Sequence, residues 1–182
     1  MNTMVSHAAI PEPRWKSPRV PGFPTLPTDL GLILLSAGVG ACLAQLFRWD
    51  RLDEVASVTA EDILLHNLMV AALATVITMH AARGMMLLNG LWLGMGLAAS
   101  SHLAGAGQTL GLAAVHVPLE IVAWAMTIEL ARRFWPALAA TVHRSPEGAT
   151  LRRGLLIRIA ITVLVYALAA LAEWAAHSLI GV

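Results

Sequence analysis

The chain has 182 residues, of which 58% are hydrophobic and only 13% charged, with a formal net charge of +1. A soluble domain of this length carries roughly a quarter charged residues, so the composition excludes an ordinary soluble globule. The near-neutral charge, without a basic patch interleaved with aromatics, argues against a nucleic-acid binder. The one cysteine, Cys42, excludes an internal disulfide.

In chain order, residues 1–29 come first and hold six prolines, at 11, 13, 18, 21, 24 and 27. Proline lacks an amide donor and turns its predecessor away from helix, so this stretch reads as an extended, water-exposed tail. The first apolar segment, 30–47, opens at Asp29 as a cap. Within it, Val39-Gly40-Ala41-Cys42 has the form of a lipoprotein cleavage box. Apolar sequence continues to Phe47, however, so an uncleaved spanning helix is expected. Four further segments follow at 63–82, 85–99, 109–131 and 155–180, the second and third separated by Arg83-Gly84. Crossing the hydrocarbon takes about 20 residues, and only helices satisfy their own backbone there. The expectation is an all-α, polytopic membrane protein, a bundle of about five transmembrane helices.

Charge fixes the expected orientation. The tail, Arg83 and the stretch from Arg132 to Arg158 place ten basic residues on one side; Arg48 and Arg51 alone fall on the other, among Asp50, Asp53, Glu54, Glu61 and Asp62. The positive-inside rule then gives a cytoplasmic N-terminus and an external C-terminus. Trp49 and Trp135 fall near helix ends, as interfacial tryptophans do.

Polar residues inside these segments are the candidate site. In "AAVHVPLEIVAWAM" (113–126), His116 and Glu120 are four apart, on one helix face. Glu173 and His177 repeat the spacing in the last segment. The second segment begins with His66 and Asn67, and His102 falls in the outer loop. With the topology above, His66, Asn67, His116, Glu120, Glu173 and His177 all lie in the outer half. Three chemistries stay open. The set can be interhelical hydrogen bonds, or a proton-transfer site with His116, Glu120, His66 and Glu173 as acid–base groups and Asn67, Asn89 and His177 as binding groups. A zinc site is the third; since the familiar zinc helix carries two histidines and each helix here has one, no metal is favoured, and His116 and Glu120 would be its ligands. His80 and His143 belong to the inner side. Glu129 is placed to pair with Arg132 and Arg133. In "LLNGLWLGMG", Gly90 and Gly94 form a small-xxx-small pair that admits a second backbone, and Asn89 can hydrogen-bond across that contact.

"HNLMVA" at 66–71, "LNGLWLG" at 88–94 and "HVPLE" at 116–120 together resemble the stage II sporulation protein M family of bacterial membrane proteins. Asn67, Asn89, Gly90, Gly94, His116 and Glu120 carry the resemblance, over about residues 60–131. His66 stands where a second Asn is common and Val117 where a Gly is common. The resemblance implies work in spore engulfment and cell-wall remodelling complexes or, for short stand-alone members, in the maturation, export or self-protection of modified ribosomal peptides. A second membrane protein and a peptide substrate are the expected partners, and no cofactor is expected. The expected function is therefore a membrane component of peptide maturation or export, able to move a proton in epimerisation or cyclisation. A non-enzymatic scaffold, or a peptide transporter or immunity protein, is the alternative.

Overall fold

A computed structural model of the chain describes residues 23–47 and 59–180. Among these residues there are five helices and no strand: α1 (Leu26–Phe47), α2 (Ala60–Val76), α3 (Met79–Ala104), α4 (Ala106–Val142) and α5 (Gly148–Ile180). Residues 1–22, Arg48, Trp49, Arg51 and the acids at 50, 53 and 54 lie outside them.

Side-chain pairs set the directions of the helices. α1 and α3 run parallel: Asp29 meets Arg83 near their starts and Gln45 meets His102 near their ends. α2 and α4 are likewise parallel, joined at Asn67–Glu120 and again where the Trp135 indole donates to the Val76 carbonyl at 3.1 Å. Reversals separate α3 from α4 and α4 from α5. The chain therefore runs up, down, up, down, up, and α4 is the helix packed against all four others. Its stretch from Ala123 to Ala131 is buried on every side, as expected of a helix at the centre of a bundle.

Among the described residues, three helices are long and apolar enough to cross a membrane: α1 over Leu26–Leu46, α4, and α5 over Gly148–Ala176. α2 has 17 residues, about 25 Å of rise, short of a ~30 Å hydrocarbon core. α3 has the length, but it carries His80, Arg83, Asn89 and His102. Many of the buried residues are small, and many large apolar ones are exposed. Ala74, Ala82, Ala123, Ala125 and Ala169 are sealed inside, whereas Leu35, Leu46, Leu65, Met69, Leu110 and Leu164 face outward. Water would penalise that arrangement at about 25 cal/mol per Å2. Lipid does not, and close approach through small residues is how helices pack there.

The observed boundaries correct several expectations. α1 starts at Leu26, not after Asp29, with Pro27 in the first turn, where its missing amide costs nothing. Asp29 is not a cap. It is wholly buried and ion-paired to Arg83, its Oδ1 accepting from Nη2 at 2.7 Å. α2 begins at Ala60 because Thr59 and Asp62 form a reciprocal capping box. The Thr59 hydroxyl and amide also hold the Asp62 carboxyl below its usual range. The break between α2 and α3 falls at Ile77–Thr78 rather than at Arg83-Gly84. The Thr78 hydroxyl accepts from the Ala81 amide at 3.3 Å, and Trp135 takes up the Val76 carbonyl that the break exposes. A helix end inside an apolar bundle needs such partners.

His102 is in the last turn of α3, not in a loop, and only Gly105 separates α3 from α4. Its φ of +87° is a conformation that favours glycine. α4 extends from Ala106 to Val142, well beyond the expected 109–131. It ends in a Schellman motif, with Arg144 and Ser145 amides donating to the carbonyls of Thr141 and Ala140. α5 begins seven residues before the expected 155.

The Gly90/Gly94 expectation gains its partner. A Cβ on Gly94 would run into the Ala37 carbonyl, one on Gly40 into the Leu91 carbonyl, and one on Gly90 would sit 3.0 Å from the Ile33 carbonyl. α1 and α3 therefore cross backbone to backbone. The hydrogen bond across this contact comes from Ser36, whose hydroxyl donates to the Leu87 carbonyl, and not from Asn89, which is half-buried.

Candidate functional site

Glu120 sits fourteen residues into α4, about 20 Å along it at 1.5 Å per residue. It is half-buried, on the side facing α2 and α5. Asn67 of α2 donates from Nδ2 to its Oε1 at 3.4 Å. Glu173 of α5 lies within electrostatic reach of Glu120, and so does Tyr166. Glu120 is thus hydrogen-bonded to a side chain of α2 and within electrostatic range of two side chains of α5, two of the four helices packed on α4.

The remaining sequence candidates distribute unevenly. His116 is half-buried one turn before Glu120, and its Nδ1 lies 2.9 Å from the Leu112 carbonyl of its own helix. A carbonyl can only accept, so Nδ1 carries the hydrogen there. The recorded hydrogen bonds of His116 and Glu120 therefore run to different partners. His66 is exposed on the outer face of α2. Its neighbour Asn67 takes the inward position, and adjacent helical residues point about 100° apart. The His177 side chain lies outside the described residues. Among those described, no three of His, Cys, Asp and Glu stand together as a metal-binding set.

Two residues of the site were not singled out from sequence. Tyr166, 1% exposed, lies beneath Glu120 on α5, and its hydroxyl is 3.0 Å from Thr127 Oγ1. Thr127 in turn donates to the Ala123 carbonyl at 2.9 Å. The signal was present: this is the chain's one tyrosine, set in the middle of an apolar helix, where a phenol must find a partner.

A second polar group occupies the end of the bundle where α1 begins. Glu129, wholly buried, accepts from Arg133 Nε and from the Thr25 hydroxyl at 2.9 Å, with Arg132 Nε at 3.7 Å. Arg132 Nε also donates to Met79 Sδ at 3.2 Å. The expected pairing of Glu129 with both arginines is present, though buried rather than at a surface. His80 and His143 are exposed at this end.

Compared with known proteins, the chain matches no family model, no curated protein and no solved structure.

Proposed function

We propose that this is a bacterial membrane protein of five spans, N-terminus cytoplasmic and C-terminus external, that takes part in maturing or exporting a ribosomally made peptide beside a second membrane subunit. Glu120 moves a proton in that work. The observation that carries the reading is the hydrogen bond from Asn67 of α2 to Glu120 of α4, with Glu173 of α5 within electrostatic range. A carboxyl group inside a membrane bundle is costly, and its retention points to function. The five-span topology is supported by the alternating helix directions and by the gathering of arginines at the end where α1 begins. The likeness of residues 60–131 to the stage II sporulation protein M family supports the peptide system.

Asn67 orients one oxygen of Glu120, and Glu173 supplies a second carboxyl within range. In an epimerisation, one carboxylate removes the proton from the peptide Cα and the other carboxylic acid returns one from the opposite face. The C–H bond broken is replaced by a C–H bond formed, and the two acids end with their protons exchanged. The second reading, a scaffold in which these residues only hold helices together, is favoured by the Asn67–Glu120 bond's joining α2 to α4.

Glu120→Gln separates the two. Glutamine keeps the shape and the bond to Asn67 but cannot exchange a proton. In cells carrying the chain with its neighbouring genes, modified peptide followed by mass spectrometry should fall by about 10²-fold or more, with membrane insertion unchanged. Undiminished product from that variant would leave the scaffold reading standing and end the catalytic one.

A further inference from the structure

Arginines at the α1-start end of the bundle line a cavity of about 490 Å3 between α4 and α5. Its walls include Arg132, Arg133, Pro136, Thr150, Leu151 and Arg158, and no carboxylate is among the described residues that line it. Arg133 meets Glu129 through Nε, and Arg132 uses Nε toward Met79 and Glu129, which leaves the Nη donors of both for a ligand. Arg158 is held in place by the Phe23 ring, 5.7 Å from its guanidinium carbon, and by a bond from Nη1 to the Gly154 carbonyl. Three guanidinium groups border this cavity, and among the described residues Glu129 is the carboxylate that Arg132 and Arg133 meet.

We propose that the cavity binds a phosphate-bearing anion, the headgroup of an anionic lipid or a free phosphate. Planar guanidinium forks match phosphate oxygens two at a time, and the Nη groups of Arg132 and Arg133 supply such donors. The Thr150 hydroxyl adds a neutral donor. On the orientation proposed above, this end is cytoplasmic, the side on which basic clefts between helices lodge anionic headgroups. The site is independent of Glu120 and of any peptide chemistry.

The test uses the full chain in dodecyl maltoside. Phosphatidylglycerol retained from bilayers of phosphatidylcholine and phosphatidylglycerol is measured by native mass spectrometry, and inorganic phosphate binding by calorimetry. Arg132→Gln and Arg158→Gln should each weaken binding about fivefold. The double variant Arg152→Gln/Arg153→Gln, exposed and basic at the same end but outside the cavity, should not. Arg132 is half-exposed, so its variant carries the test if loss of the buried Arg158 prevents folding. Weakened binding of both probes assigns the site to a phosphoryl group from any source, and weakened binding of the lipid alone assigns it to the headgroup. Lipid retention without preference for phosphatidylglycerol, or equal losses in the Arg152/Arg153 control, would overturn the proposal.

Discussion

Gly94→Ala destabilises the protein, while Gly96→Ala, two residues further along the same helix, leaves it unchanged or more stable. The difference lies in what each new methyl group meets. At position 94 it meets the backbone of Ala37, which cannot swing aside as a side-chain tip would; at position 96 nothing lies within 4 Å. Forcing α1 and α3 apart also strains the Ser36–Leu87 hydrogen bond and the mirror contact of Gly40 on Leu91. Overpacking of this kind costs about 1–3 kcal/mol. A helical Gly→Ala change in open space gains up to about 1 kcal/mol. Unfolding in mixed detergent micelles reads both. Since Gly40 and Gly94 belong to one contact, Gly40→Ala should add little once Gly94→Ala is in place. Equal effects at 94 and 96 would show that the helices do not cross there.

Arg83→Ala should destabilise by about 3–5 kcal/mol, the cost of stranding a buried charge. Asp29 is wholly buried, and Arg83 donates to its Oδ1 from both Nε and Nη2; Oδ2 has no recorded partner among the described residues. Arg83 itself is 28% exposed, so solvent screens it only in part. Asp29→Ala/Arg83→Ala removes both charges and should recover most of the loss. The pair ties α1 to α3 at the end where both begin, fixing the register in which the glycines meet. A single variant as stable as the parent would mean that the ion pair does not hold that end.

The limits of sequence reading follow from the same pairs. Arg83-Gly84 reads as a turn because a cation and a glycine interrupt an apolar run. The partner that lets Arg83 stay helical is 54 residues away, and no local pattern reveals it. The actual break at Ile77–Thr78 had a local sign in Thr78, a residue able to cap. Gly90 and Gly94 announced a close contact but not its partner α1, since a small-residue face does not specify what it meets. Spacing put Asn67 and Glu120 on facing segments, and a hydrogen bond joins the two in the structure. His66 is exposed because adjacent helical residues point about 100° apart, and Asn67 is the one that faces α4.

The central claim is that Glu120 is the meeting point of α2 and α5 on α4. With Cys42→Ser removing the native thiol, Glu120→Cys is paired in turn with Asn67→Cys, Glu173→Cys and His66→Cys, and treated in native membranes with a short bis-maleimide. Cross-links from 120 to 67 and to 173, with none to 66, are the predicted result. Linkage to 66 as efficient as to 67, or no linkage to either 67 or 173, would contradict it.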